Sequence, residues 1–133
     1  MKQISIFIEN ETGKLAKVTT LLAEKKVNLR ALSIADTHDY GILRIIVDDT
    51  MYASKILHDN GYLTKTTEVV AIKIEDKPGS LAKIMEALCN ANIGVEYTYA
   101  FTDTTPGAAI MVFRVNDNKE ALIALSNAGI ETL

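Results

Sequence analysis

The chain has no tryptophan, a single cysteine, two prolines and two histidines in 133 residues. Cys89 has no second cysteine to pair with, so an internal disulfide is excluded. It reads as a small, half-buried helix residue and not as a nucleophile. His38 and His58 share no metal-ligand spacing with each other, with Cys89 or with a cluster of acids, and are read as surface residues. Neither G-x-G-x-x-G nor G-x-x-x-x-G-K-S/T occurs, so the common nucleotide-binding loops are absent. No apolar run approaches the roughly 20 residues of a membrane span. The net charge of −3 gives no basic excess for nucleic acid or an anionic membrane. The opening Met1-Lys2-Gln3-Ile4 enters a strand-like pattern without a charged and apolar leader, and a cytoplasmic protein is expected. No catalytic constellation can be assembled, so neither an enzyme nor a cofactor is expected.

What is present is a repeat. IENETGKLAKV (Ile8 to Val18) aligns with IEDKPGSLAKI (Ile74 to Ile84) at an offset of 66, with six of 11 positions identical. Gly13 pairs with Gly79 and Gly41 with Gly107 at the same offset, and Gly61 pairs with Gly129 at 68. Gly94 falls opposite Asn28, which suggests a left-handed backbone there, since asparagine tolerates it best after glycine. Asn28 equally reads as the plain start of a strand.

Each copy has the same order of elements. Ile4, Ile6 and Ile8 alternate, as do Val70, Ile72 and Ile74, which predicts a half-buried first strand. Leu15, Val18 and Leu22 follow at helical spacing, matched by Leu81, Ile84 and Leu88. Second strands are predicted over 28–35 and 94–101, and third strands over 42–47 and 108–115. Second helices are predicted over 51–60 and 118–128, preceded by Asp48-Asp49 and Asn116-Asp117 as helix starts. Gly61 and Gly129 then sit where a helix C-terminal glycine belongs. A last strand begins at Tyr62 and, short or frayed, at Ile130.

The order βαββαβ, written twice, predicts an α+β chain of two tandem ferredoxin-like modules, residues 1–66 and 67–133. In each, two helices cover one face of an antiparallel sheet. Apolar residues on both faces of the second strands (Ala31, Leu32, Ile34 and Ala35; Tyr97, Tyr99, Ala100 and Phe101) predict association of the modules and a homodimer.

One place combines polar side chains with free backbone donors: the turn from the first strand into the first helix. The first N–H groups of a helix have no internal partner and, with its dipole, favour an anion such as a carboxylate. Gly13 and Gly79 allow close approach to the backbone. Asn10 and, with charge, Asp76 can accept from an ammonium group. The same residues are also ordinary turn and capping chemistry.

The runs ISIFIENETGKLAKVTTLLAEKKVNLRALSI (Ile4 to Ile34) and VAIKIEDKPGSLAKIMEALCNANIGVEYTYA (Val70 to Ala100) resemble the ACT domain, a small regulatory module that binds amino acids. The resemblance covers nearly the whole chain. It implies a free amino acid as effector, held between paired domains, with the first-turn asparagine and the asparagine that opens the second strand as polar ligands. Asn10 and Asn28 match those positions, and Gly13 the glycine. Copy two departs from the pattern with Asp76 and Gly94, and copy one with Thr12 where proline is usual. One site per chain is therefore expected, built by Asn10, Glu11, Thr12, Gly13, Lys14 and Leu15 with Asn28 and Leu29. Copy two, with Asp76 and Gly79 in its matching turn, would add a wall through Glu96, Tyr97 or Tyr99, tyrosines that also suit interface packing. A regulated enzyme would be a separate chain. The rival reading is a pure interaction module without a ligand; an enzyme using this fold ranks third.

Overall fold

The computed structural model describes residues 1–9, 11–36 and 39–133, with all their side chains except that of Asp36. Asn10 and His38 lie outside the described residues. The chain divides into two compact units, Lys2–Thr67 and Glu68–Leu133, the latter with Met1.

In the first unit the order is β1 (Lys2–Glu9), α1 (Lys14–Glu24), β2 (Leu29–Asp36), β3 (Tyr40–Val47), α2 (Thr50–Asp59) and β4 (Leu63–Glu68). The sheet runs β2-β3-β1-β4, so β2 and β4 are its edges. Alternation sets which side chains point to the helices. Ile4 lies opposite Ile45 and Ile6 opposite Leu43. These four pack with Val18 and Leu22 of α1 and with Ala53 and Leu57 of α2 into one core. Each such aliphatic contributes about 1.5–3 kcal/mol by leaving water.

The second unit repeats the plan with β5 (Val70–Glu75), α3 (Ser80–Asn90), β6 (Val95–Thr102), β7 (Ala108–Val115) and α4 (Asn118–Asn127), in the sheet order β5-β7-β6. Its core joins Ile72, Met111 and Phe113 to Ile84, Leu88, Ala121 and Leu125. Where β4 runs for six residues, the corresponding segment here makes one bridge, Thr132 to Ile72, with the Leu133 N–H donating to the Ala71 carbonyl at 2.8 Å.

Helix starts follow the sequence. Asp49 and Asp117 are N-caps, and each side chain accepts a 3.0 Å bond from the N–H three residues on, at Tyr52 and Glu120. Helix ends hold a surprise. Asn28 and Gly94 do not take the left-handed conformation; Lys26 and Asn92 do, at φ 58° and 57°. The reason is the helix end itself. The Lys26 N–H donates to the Ala23 carbonyl and the Val27 N–H to that of Leu22; Asn92 and Ile93 do the same to Cys89 and Leu88. This is the Schellman pattern, which requires a positive φ one residue past the cap. Gly61 and Gly129 close α2 and α4 in the same way, at φ 83° and 72°.

Two further expectations need correction. Cys89 is exposed, because α3 turns Ile84 and Leu88 inward and Cys89 lies one residue, about 100°, beyond Leu88. And β3 starts at Tyr40 instead of Ile42, because Tyr40 and Gly41 pair with Glu9 and Ile8.

Candidate functional site

The turn from β1 into α1 is built in the same way in both units. The Glu11 N–H donates to the Glu9 carbonyl (2.9 Å) and the Lys14 N–H to that of Glu11 (3.3 Å). In the second unit Lys77 and Ser80 repeat this to Glu75 and Lys77, at 3.0 and 3.3 Å. Gly13 and Gly79 are the N-caps at φ 89° and 92°, and among the described residues no side chain caps either helix. An ideal Cβ at either glycine meets nothing within 4 Å, so glycine is needed for the backbone angle and not for space.

In the first unit this turn opens onto a cavity of about 280 Å³. Its floor is Ile8 of β1, Gly41 of β3 and Ile34 of β2, and Leu15 of α1 forms a wall. Glu9, Glu11 and Lys14 stand at the rim, with Lys14 Nζ 3.6 Å from Glu9 Oε2. The rim therefore offers both signs of charge, and the described side chains of the floor are aliphatic.

Of the residues expected from the sequence, Glu11, Lys14 and Leu15 line this cavity and Gly13 stands in the same turn; Ile8, Glu9, Ile34 and Gly41, which also line it, were not among them. A faint signal existed, since Leu32 and Ile34 are apolar on a strand whose other face is also apolar. Both belong to the helix-facing side, where Leu32 lies opposite Ile45 and Ile34 opposite Leu43. Yet β2 is an edge that the helices do not cover, and Leu32 and Ile34 remain 42% and 46% exposed.

Other expected site residues stand elsewhere. Thr12 is exposed in the turn. Asn28, also exposed, and Leu29, packed against the first core, sit where β2 begins, with Leu29 opposite Val47. The turn lies at the other end of the strands, where Glu9 pairs with Tyr40 and Asp36 with Gly41. Along β2 that is about 23 Å at roughly 3.3 Å per residue. One module therefore cannot close both sets of residues around one amino acid. In the second unit Asp76 and Gly79 sit at the turn, whereas Glu96 and Tyr97 sit at the far end of β6, with Tyr97 opposite Arg114. Glu96 pairs with Arg114 Nε at 3.5 Å, and the Tyr97 ring stacks on Tyr99 with centroids 6.5 Å apart.

The second unit's turn is braced. The Asp76 N–H donates to the Gly107 carbonyl at 2.8 Å, which ties the turn to the β6–β7 hairpin. Lys73 Nζ lies 2.8 Å from Asp103 Oδ2 and 2.9 Å from Thr105 Oγ1. The Lys73 ammonium, aided by the Thr105 N–H, holds the Asp103 carboxyl down from 3.8 to about 2. Lys77 beside Glu75 likewise holds that carboxyl below its usual range. Because the folded value for Asp103 lies below the unfolded one, its contribution is complete above about pH 4 and is lost as pH falls towards 2. Asp103→Asn should therefore lower the urea midpoint at pH 7, and the gap from the parent should close as pH approaches 2. Equal midpoints at pH 7, or a gap that widens in acid, would contradict the brace.

Among the described residues, no group of three or more His, Cys, Asp or Glu is placed to hold a metal, and no helix is long and apolar enough to cross a membrane.

Residues 1–128 match the ACT domain pair family. The chain belongs to that family. The fold of this ACT domain pair recurs closely in a solved protein from Bacteroides thetaiotaomicron. That protein is 39% identical, with 99% of this chain and 90% of that one covered and a TM-score of 0.92. The ligand-free regulatory subunit of aspartate kinase from Thermus thermophilus shares the fold at 18% identity, over 96% and 91% of the two chains, with a TM-score of 0.68. The acetolactate synthase small subunit of Buchnera aphidicola is 31% identical over 84 residues, 62% of this chain and 52% of that protein. The one from Aquifex aeolicus is 40% identical over 45 residues, 34% and 23% of the two. The matched stretch thus spans about half of one curated relative and about a quarter of the other.

Proposed function

We propose that this ACT domain pair is a non-catalytic cytoplasmic regulator. It binds one free amino acid per chain at the β1–α1 turn of the first module, as a homodimer, and acts on an enzyme carried by a separate chain. The cavity at that turn carries the proposal. An amino acid is a zwitterion, and the Glu9, Glu11 and Lys14 rim complements both of its charges beside the N-terminal end of α1. The names of the relatives, small subunit and regulatory subunit, support a role beside an enzyme.

The separation of Asn28 from the turn supports the dimer. A second copy whose β2 adds antiparallel to β2 about a two-fold axis would lay the partner's Leu29 opposite Asp36. The partner's Asn28 would then stand next to the turn. The exposed Leu32 and Ile34 on that edge favour such an addition. They also keep alive the rival, a ligand-free interaction module.

A thermal-shift screen of the twenty amino acids separates the two. A ligand at 100 times its dissociation constant adds about 2.7 kcal/mol, a rise on the order of 10 °C for a unit this small. Asn10→Ala should remove the rise and leave the unliganded melt unchanged. No rise with any amino acid at millimolar concentration favours the interaction module.

A further inference from the structure

We propose that the first module carries a second small-molecule site, in the groove between α1 and the turn from α2 into β4. Its ligand is elongated, anionic at one end and bearing N–H donors at the other. Lys17, Thr20, Leu21 and Glu24 of α1 face Tyr62 across the groove. At about 100° per residue, Lys17, Thr20 and Glu24 fall within about 60° of one another and roughly opposite Leu15, which lines the cavity at the β1–α1 turn. The two places therefore lie on different flanks of one helix. The groove holds about 580 Å³ against about 280 Å³ for that cavity, within the range of pockets for drug-sized molecules, so it has room for a molecule larger than one amino acid.

The charged groups of the groove are unspent. Among the described residues Lys17 and Glu24 make no ion pair, and the Tyr62 hydroxyl has no hydrogen-bond partner. Lys17 and Glu24 stand about 10 Å apart along α1, at roughly 1.5 Å per residue, too far to pair with each other. Tyr62 belongs to the Lys17 end, since these two also line an adjoining hollow that Glu24 does not reach. An anionic group would thus sit between the Lys17 ammonium and the Tyr62 hydroxyl, with N–H donors on the Glu24 carboxylate and the body of the ligand along Thr20 and Leu21. Asn60 serves the helix end instead, where its Nδ2 donates to the Ile56 carbonyl at 2.8 Å. The second module shows what the fold itself requires. Ile130 stands for Tyr62, and each packs against its own core, so the hydroxyl is surplus to packing. Glu86 stands for Thr20 and Asn90 for Glu24. The order of cation, hydroxyl and acid along α1 is therefore not a demand of the helix.

Two common kinds of molecule have this form, a nucleoside monophosphate with an amino-bearing base and a dipeptide. Calorimetric titration of the full chain with adenosine monophosphate, guanosine monophosphate, the dipeptide alanylleucine and inorganic phosphate tests the site and tells the sources apart. At least one of the two kinds should bind, and more tightly than inorganic phosphate. Lys17→Gln and Glu24→Gln should each weaken that ligand about tenfold, the loss expected of a charge-assisted hydrogen bond. Tyr62→Phe keeps the packing ring and should weaken it severalfold. All three changes are on the groove surface, so the melting temperature should hold. Binding by none of the organic probes at millimolar concentration overturns the proposal. Inorganic phosphate that binds as tightly as the organic probes overturns the two-ended ligand. Unchanged affinity in folded Lys17→Gln and Glu24→Gln chains places the ligand elsewhere and overturns the proposal.

Discussion

Phe113→Ala should cost about 3–5 kcal/mol and lower the melting temperature of the second unit on the order of 15 °C. Phe113 is fully buried and heads the largest such side chains of the chain. It sits on β7, the central strand, opposite Val70 on one side and Thr98 on the other. Its ring faces the helices within a cluster that includes Ile72, Ile84, Leu88 and Leu125. Neither a neighbouring strand nor a helix can move in to fill the gap without breaking the β5–β7–β6 register. The cavity term therefore adds to the lost transfer energy instead of relaxing away. The urea midpoint should fall with little change in slope, since the unfolded chain exposes nearly the same surface. A loss below about 1 kcal/mol would mean that this core collapses around the deletion, and that its packing is looser than the burial implies.

The parts of this architecture legible in the sequence are those with a period. Ile4 and Ile6, or Ile84 and Leu88, announce their element because burial forces apolar residues onto one side of a strand or helix. Asp49 and Asp117 were legible because capping needs an acceptor at one position. The left-handed residues were placed two positions late, at Asn28 and Gly94. The Schellman bonds fix them by the last turn of the helix, and neither Lys26 nor the general rule for asparagine reveals where that turn stops. Cys89 was placed half inside because apolar character gives no angle; one residue past Leu88 is enough to expose it. The candidate site was legible only where its residues are neighbours in sequence. Glu11 to Leu15 are contiguous, so one turn holds them together whatever the register. Asn28 joins them only if a second β2 is supplied, and Ile34 and Gly41 join them only through the pairing of β2, β3 and β1. Register is a tertiary property, and no single segment encodes it.

The edge that separates those residues gives the other large effect. Replacing Leu32 and Ile34 together by lysine should convert the proposed dimer to monomer, weakening association by at least 100-fold. Each of these side chains, a little under half exposed in the monomer, forfeits about 1 kcal/mol of burial at the interface in each copy, and each lysine adds a charge that pairing would have to desolvate. In the monomer both residues already face solvent, so the fold should survive. The other edge of the same sheet is the control. β4 reads LTKTTE, and a lysine at Lys65 and three threonines already blunt it, so Leu63→Lys should leave the mass unchanged although Leu63 is 70% exposed. Size-exclusion with light scattering reads the mass, and titration of the same samples reads the ligand. In the proposed dimer Asn28 of the second copy would complete the site, so affinity for the amino acid should fall with the dimer, and the amino acid should in turn tighten the parent dimer by the same coupling factor. A parent chain that runs as a monomer at micromolar concentration, with and without amino acid, would remove the dimer. A lysine variant that stays dimeric would move the interface off β2. A monomeric variant that binds its amino acid undiminished would confine the site to one module, with the turn and its cavity sufficient alone.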